Sequence, residues 1–228
     1  MLQPKHVLPV IHYLDDGLAL ENAAIAFEAG ASGVFVISME GEDEPVVPAA
    51  RLIKDRWPDK LVGVNLLTMS STEALECSLA AKLDATWTDR PGVSSGYIGS
   101  EAFRVAERLK AFPAHRFFGS VAFKYQAFEP QPDVAARRAV ALGMIATTSG
   151  VATGIAPDLD KLTAMKQALG ENSLAVASGI TPENVESFLA SVSWFLVATG
   201  ISTDEHHLDA ARCRDLIAKV CPARVAVA

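Results

Sequence analysis

The stretch LAVASGITPENVESFLASVSWFLVATGIS, residues 174–202, contains the pattern that decides the fold. Two short apolar runs, residues 174–177 and 195–198, each lead into a turn that contains glycine. Apolar runs of this length are typical of strands that are buried on both faces. The segment therefore predicts two parallel strands, each followed by a loop at the same edge of a sheet.

The same unit recurs along the chain. Six further runs precede it, at residues 8–11, 33–37, 61–65, 85–87, 117–123 and 144–148. Between the runs, apolar residues such as Leu159, Leu162 and Met165 are spaced as in helices that bury one face. Helices between successive strands require parallel pairing through right-handed crossovers, and eight such units of roughly 20 to 30 residues close a barrel. We therefore predict an α/β fold, the (β/α)₈ TIM barrel, as a single domain over residues 1–228.

Local signals favour the barrel over an open doubly wound sheet. The open sheet is typically marked by a GxGxxG turn after its first strand, whereas residues 13–16 read Tyr-Leu-Asp-Asp. Gly30 and Gly170 stand where helices need a left-handed end, and Ser70 and Glu73 have the spacing of a capping box.

Composition limits the possible partners. The chain has 228 residues, of which 50% are hydrophobic, and its formal net charge of -7 opposes binding to nucleic acid or to an anionic membrane. The cysteines, Cys77, Cys213 and Cys221, lack CxxC or zinc-site spacing, which indicates reduced thiols. Because the N-terminal region has no run typical of a signal peptide or a membrane span, we expect a cytoplasmic protein.

Loops that contain glycine follow the seventh and eighth predicted strands. Gly179 and Gly200 allow backbone to approach an anion, and Thr181 and Pro182 predict the start of a helix whose free N–H groups face that anion. The second loop predicts a short extra helix. Neither loop contains arginine, so backbone N–H groups are the expected donors. The predicted phosphate-binding residues are Ser178, Gly179, Ile180, Thr199, Gly200 and Ile201.

Either loop alone is better explained as a tight turn. Their joint occurrence after strands seven and eight matches the recurrent phosphate site of TIM barrels. We therefore predict that the ligand is phosphate, sulfate or a small phosphorylated molecule.

The loop after the sixth predicted strand is rich in hydroxyl groups and glycine. Its candidate residues are Ser149, Gly150, Thr153 and Gly154, and it leads into a helix predicted to begin at Pro157. Two interpretations are open: a lid that is mobile without ligand and closes over a phosphate ester, and a passive surface loop.

Polar side chains end five of the predicted strands, at the mouth where TIM barrels carry their catalytic residues. The catalytic candidates are His12, Glu40, Asn65, Asp89 and Lys124. Lys124 is a candidate acid–base or imine-forming group, and the alternative is an ion pair with Glu40 or Asp89 that ties the rim together. His12 is either a general base or a hydrogen-bonded structural residue.

Strand alternation predicts where two of these side chains point. If Lys124 faces the mouth, Val121 and Phe123 turn toward the surrounding helices. If Asn65 faces inward, Gly63 shares its face.

The remaining charged and histidine-containing segments suggest no further site. The sequence lacks HxH, HExxH and comparable ligand spacings, so we expect neither a metal nor a cofactor. The run Glu42-Asp43-Glu44 is typical of a solvated charged turn. His206 and His207 are expected to begin the final helix as solvated residues.

Three motifs resemble the BtpA family of barrel proteins. They are GVN at residues 63–65, SGVATGIAPDL at residues 149–159 and SGITPENV at residues 178–185. The resemblance extends over most of the chain. That family is linked to photosystem I biogenesis, and its barrel resembles phosphoribosylanthranilate isomerase, tryptophan synthase alpha chains and other ribulose-phosphate-binding barrels. The resemblance implies a TIM barrel in which Asn65, Lys124 and the phosphate loops keep their positions.

The sequence also departs from these families. Ser38-Met39-Glu40 stands where BtpA proteins have a glutamate-asparagine pair, and the loop after the eighth strand reads ATGIS. Phosphoribosylanthranilate isomerases carry a cysteine after strand one and an aspartate after strand five, where this chain has His12 and Lys124. An aldose–ketose rearrangement by that acid and base is therefore disfavoured.

Two functional hypotheses follow. The first is an enzyme, with lyase, isomerase or hydrolase chemistry on a phosphosugar or nucleotide, and the second is a non-catalytic binding or assembly protein. Either can be a homo-oligomer. Fold alone does not separate them, but an enzyme requires Lys124, Glu40 or Asp89 to point inward with a shifted pKa.

Overall fold

The computed structural model describes residues 4–222 and consists of a closed parallel barrel surrounded by helices. The strands are β1 (His6–His12), β2 (Gly33–Ile37), β3 (Leu61–Asn65), β4 (Ala85–Thr88), β5 (Arg116–Ser120), β6 (Ile145–Thr148), β7 (Leu174–Ala177) and β8 (Trp194–Val197). The α-helices are α1 (Asp16–Glu28), α2 (Val46–Arg56), α3 (Ser71–Ala80), α4 (Ser100–Ala111), α5 (Pro132–Ala141), α6 (Leu159–Leu169) and α7 (Ala210–Val220).

Pairing of β1 with β8 closes the sheet, and every other strand pairs with its neighbour in the sequence. The predicted TIM barrel is therefore confirmed. Residues 1–3 and 223–228 of the predicted domain lie outside the described residues. Within the described part, no helix combines the length and apolarity that crossing a membrane requires.

Aromatic rings fill the inside of the barrel. Phe35 and Phe118 meet edge to face with ring centroids 5.3 Å apart, and Phe118 meets Trp194 in the same way at 5.5 Å. Gly63 faces the same interior, where a β-carbon would lie 2.4 Å from Cε1 of Phe35. The inward position predicted for Gly63 therefore makes room for a buried ring, while the outer faces of the strands pack against the helices.

The strand-alternation prediction for Phe123 is wrong. β5 ends at Ser120, and Ala122 adopts a left-handed backbone with φ of 49°, so the alternation of side chains stops before Phe123. Phe123 packs inside the barrel on Trp87, with ring centroids 6.1 Å apart. Val121 packs outward as predicted, among the residues that contact the helices.

The connection from β7 to β8 also differs from the predicted helix at Pro182. A short 3₁₀ helix (Val185–Phe188) takes its place, because the side chain of Asn184 closes a tight turn. Its Oδ1 accepts from the Thr181 amide at 2.9 Å, and its Nδ2 donates to the Gly179 carbonyl at 2.8 Å. The short helix predicted after β8 is present as a 3₁₀ helix (Thr199–Ile201).

Two predicted helix starts shift along the chain. α6 begins after Pro157, at Leu159, because the carboxylate of Asp158 caps the first turn. α7 begins at Ala210 with Asp209 as its cap, so His206 and His207 lie in the preceding turn. The local capping signals otherwise agree with the sequence.

The Ser70 and Glu73 capping box is present, and Gly30 and Gly170 have positive φ angles. Asp43 corrects the prediction of a solvated turn at residues 42–44, because its side chain is buried. Its carboxylate accepts from the amides of Leu67 and Thr68 at 3.0 and 2.8 Å. Backbone N–H groups that have no partner in their own loop account for its burial.

Candidate functional site

A polar cavity of about 420 Å³ lies at the carboxyl ends of β3, β4 and β5. The structure brings Asn65, Asp89 and Lys124 together in its wall, with Thr88 and Arg90 beside them. These residues follow strands that are neighbours in the barrel, which is why positions far apart in the sequence converge here.

Asn65 and Asp89 form a buried pair. Nδ2 of Asn65 donates to Oδ1 of Asp89 at 3.2 Å, and Asn65 is only 1% exposed. Within residues 4–222, Oδ1 of Asn65 has no hydrogen-bond partner although it is buried. Because a buried polar atom without a partner is costly, this oxygen is placed to accept from a ligand or from water.

Burial raises the pKa of the Asp89 carboxyl group above its usual range. The hydrogen bond from Asn65 and the charges of Lys124 and Arg90 oppose this rise. A carboxyl group in such a setting exchanges a proton closer to neutral pH than a solvated one, which suits a general base.

Lys124 lies between two cavities. Its backbone amide donates to Oγ of Ser149 at 2.8 Å and its Nζ donates to Oγ1 of Thr153 at 3.0 Å. Burial lowers the pKa of Lys124, and the charge of Asp89 opposes the shift. Among the described residues, Nζ forms no ion pair with Asp89 or Glu40. The ammonium group is therefore held by a hydroxyl group rather than by a neutralising carboxylate.

The second cavity is a narrow cleft of about 60 Å³ next to the two glycine loops. Lys124 and His12 line it, as do five of the six predicted phosphate-binding residues: Ser178, Gly179, Ile180, Thr199 and Gly200. Ile201 is fully buried in the outer core instead. The cleft and the polar cavity thus share Lys124 as a common wall.

The remaining rim candidates differ in their placement. His12 lines the cleft, burial lowers its pKa, and its buried Nδ1 has no hydrogen-bond partner within residues 4–222. Glu40 is exposed and lines neither cavity; its Oε2 accepts from Oγ of Ser38 at 3.5 Å. In the described part of the chain, no three His, Cys, Asp or Glu side chains are grouped so that they can hold a metal ion.

The glycines of the phosphate loops are required by packing between loops. A β-carbon on Gly179 would lie 2.1 Å from the amide nitrogen of Ala156, and one on Gly200 would lie 1.9 Å from the carbonyl oxygen of Ile180. Ser178 adopts a left-handed backbone with φ of 76°, an uncommon conformation for serine. Such strain is often retained at ligand-binding sites because the surroundings hold it in place.

The candidate lid has a fixed base and an exposed tip. Ser149 is buried, and a β-carbon on Gly150 would lie 2.0 Å from the Ile155 carbonyl oxygen, so Gly150 is closely packed. Thr153 and Gly154 are exposed. The tip therefore contacts Lys124 through Thr153, whereas the base packs against the following backbone.

Two residues that brace the candidate site could not be singled out from the sequence. Arg212 in α7 donates from Nε to the Gly200 carbonyl at 2.8 Å and pairs with Glu183 at 3.0 Å, which ties both phosphate loops to this helix. Lys161 in α6 donates from Nζ to the carbonyl oxygens of Ala122 and Ser149 at 3.0 and 2.6 Å. Burial lowers the pKa of Lys161 to about 8. In the sequence both residues are indistinguishable from solvated helix cations.

Comparison with protein-family models gives no match, and comparison with curated proteins gives no relative. Solved structures do share the fold. A phosphoribosyl anthranilate isomerase from Thermus thermophilus is 18% identical, with a TM-score of 0.68 and coverage of 94% of this chain and 98% of that one. A 3-hexulose-6-phosphate synthase is 18% identical, with a TM-score of 0.70 and coverage of 94% and 99%.

A thiamine phosphate pyrophosphorylase from Pyrococcus furiosus is 15% identical, with a TM-score of 0.63 and coverage of 95% of both chains. At these identities the likeness shows the fold alone. The comparisons do not identify the BtpA family.

Replacing Lys161 with methionine is expected to loosen the loops that carry Lys124 and Thr153. The variant leaves two backbone carbonyl groups without their donor, which costs about 2 kcal/mol of stability. Hydrogen exchange should become at least about tenfold faster at amides of residues 121–126 and 149–154. Lys166→Met is the control, because Lys166 makes the same kind of contact with Gly170 and Asn172 at the exposed end of α6. Equal exchange in both variants would show that Lys161 does not hold the loops.

Replacing Asp89 with asparagine is expected to raise the free energy of unfolding by about 1 kcal/mol at about pH 7. The folded-state pKa of Asp89 is raised, so its contribution to stability is favourable below the unfolded-state pKa and is lost as the pH rises through the folded value. The gain should therefore shrink toward about pH 4. Urea denaturation at both pH values tests this, with Asp59→Asn at an exposed turn as the control. A less stable variant at neutral pH would contradict it.

Proposed function

We propose that this chain is an enzyme that acts on a small phosphorylated metabolite, a phosphosugar or a nucleotide, whose phosphate binds at the loops that contain Gly179 and Gly200. The observation that carries the proposal is the position of Lys124, which borders both the cleft beside these loops and the polar cavity that holds Asn65 and Asp89. A ligand anchored by its phosphate in the cleft then presents its adjacent carbon atoms to Lys124.

The geometry supports acid–base chemistry by Asp89 and Lys124. Asp89, with its raised pKa, accepts a proton from carbon or from a hydroxyl group, and Lys124 donates a proton to a departing or carbonyl oxygen or nitrogen. Isomerase and lyase reactions, including cleavage of a carbon–oxygen or carbon–nitrogen bond, fall within this class. Lys124 as an imine-forming amine is the second role that its partial burial supports.

Three further observations support an enzyme. Asp89 and Lys124 point into the mouth and do not neutralise each other in an ion pair, unlike the arrangement expected of a non-catalytic assembly protein. The solved structures with this fold carry the names of enzymes of phosphorylated compounds. The order of the GVN, SGVATGIAPDL and SGITPENV motifs supports placing the chain with BtpA-like barrels as part of the same proposal.

A negative charge in the first glycine loop is expected to abolish phosphate binding. Ser178→Asp places a carboxylate beside the predicted anion, and aspartate tolerates the left-handed backbone at this position better than most residues do. Calorimetric titration with inorganic phosphate and with D-ribose 5-phosphate should show at least about a tenfold loss of affinity. Ser187→Asp, on the exposed surface of the 3₁₀ helix that follows, is the matched control. Equal affinities in the two variants would remove the phosphate site from these loops.

Lys124→Met is expected to lower kcat by at least about a hundredfold with a smaller change in KM. The substrate for this assay comes from mass spectrometry of phosphorylated metabolites that the purified protein retains. Lys110→Met, on the exposed face of α4, is the control.

The pH dependence of turnover checks the same assignment. Activity should rise as Asp89 loses its proton, above the usual range of an aspartate pKa, and fall as Lys124 loses its proton, below the usual range of a lysine pKa. Lys124→Met should lack the alkaline fall. Near full kcat in this variant would reduce Lys124 to a binding or structural residue.

A further inference from the structure

A groove of about 590 Å³ opens beside the polar cavity, between the loop after β4 and the loop after β5. Tyr97 comes from the first loop, and Tyr125 and Phe128 come from the second. Their exposed fractions are 64%, 71% and 91%, which are high values for large aromatic side chains. A cluster of exposed aromatic rings that borders a cavity is typical of a binding surface.

The walls of this aromatic groove are connected by hydrogen bonds. The amide of Ser95 donates to Oε2 of Glu129 at 2.8 Å, which joins the two loops directly. Arg138 in α5 donates to the carbonyl oxygen of Ser94 at 3.0 Å. Nε2 of Gln126 donates to the carbonyl oxygen of Asp89 at 2.6 Å. The groove therefore exists without a ligand, so a ligand that enters it does not bear the cost of ordering the two loops.

The aromatic groove is continuous with the candidate active site. Arg90, Tyr125 and Gln126 line both the groove and the polar cavity. That cavity contains the buried Oδ1 of Asn65, which lacks a partner within residues 4–222 and calls for a hydrogen-bond donor. A single path thus runs from the glycine loops past Lys124 and Asn65 to the aromatic rings.

We infer that the aromatic groove binds a planar aromatic or heteroaromatic ring at the far end of the phosphorylated ligand. The inference rests on the proposed function and narrows it to phosphate esters in which a spacer with hydroxyl or amine donors carries such a ring. The phosphate lies at the glycine loops, the spacer donates to Asn65 and Asp89, and the ring stacks on the tyrosine and phenylalanine side chains. The exposed guanidinium group of Arg90, at the junction of the two cavities, adds a planar cation for the ring to contact.

A second copy of the chain is the other occupant that exposed rings can attract. The continuity with the polar cavity favours the ligand, because a protein surface that covers the groove would also cover the entrance to the residues around Asp89. Association between copies is therefore treated as an outcome of the test.

Calorimetry with a matched pair of probes tests the inference. D-ribose 5-phosphate supplies the phosphate and the hydroxylated spacer, and adenosine and uridine 5′-monophosphates add a planar ring. At least one nucleotide should bind about tenfold or more tightly than ribose 5-phosphate, which is the scale of stacking on an aromatic side chain. Tyr97→Leu and Phe128→Leu should remove most of this gain and leave the affinity for ribose 5-phosphate unchanged. Phe103→Leu, an equally exposed ring on α4 that does not line the groove, should keep the gain.

The outcomes separate the two proposals. If ribose 5-phosphate binds but the ring adds no affinity, or if the leucine variants keep the gain, the aromatic groove is not a ring subsite and the proposed function stands. If neither inorganic phosphate nor any of the phosphate esters binds, the proposed function fails and the inference fails with it. Analytical ultracentrifugation of the same variants covers the other occupant. Loss of a dimer in Tyr97→Leu or Phe128→Leu with unchanged nucleotide affinity would assign the groove to contact between copies.

Discussion

The need to fill the inside of a closed eight-strand barrel governs the rest of this structure. Edge-to-face contacts among Phe35, Phe118 and Trp194 fill the lower part, and Gly63 leaves the space that Phe35 occupies. Above them, Phe123 folds back onto Trp87, whose indole nitrogen donates to Oγ of Ser120 at 3.0 Å. This aromatic layer closes the barrel beneath the mouth, so the polar groups of the candidate site rest on a rigid, dry floor.

Buried polar contacts between neighbouring loops hold the site above that floor. The carboxylate of Asp43 joins the loops after β2 and β3, and the ammonium group of Lys161 joins the loops after β5 and β6. The side chain of Ser149 receives the amide of Lys124 in turn. Each contact satisfies backbone groups that the loops cannot pair themselves, which fixes the directions of catalytic candidates at little cost in ligand-binding energy.

Periodicity in the sequence was sufficient to predict the barrel, and β3 begins and ends as its apolar run indicates. The places of Asn65 and Lys124 at the mouth follow from their positions at and after strand ends, but strand alternation does not reach Lys124, because β5 ends at Ser120. The position of Phe123 could not be predicted, because nothing in the letters marks Ala122 as left-handed. Asp43 and Lys161 were missed for a different reason: a charged side chain reads as solvated unless the loops that bury it are known. The aromatic groove depends on two loops whose proximity follows only from the tertiary structure.

The close backbone approaches at Gly150, Gly179 and Gly200 have a consequence for substitution. The loops after β6, β7 and β8 are packed backbone to backbone: a β-carbon at Gly200 would meet the loop after β7, one at Gly179 would meet the loop after β6, and one at Gly150 would meet the backbone of its own loop. The loops after β4 and β5, in contrast, are joined through side chains: Glu129 of the second loop accepts from the amide of Ser95, and Arg138 of α5 donates to the carbonyl oxygen of Ser94. New side chains are therefore easier to accommodate on the aromatic side of the mouth than at the three glycines, where the neighbouring backbone leaves no room for a β-carbon.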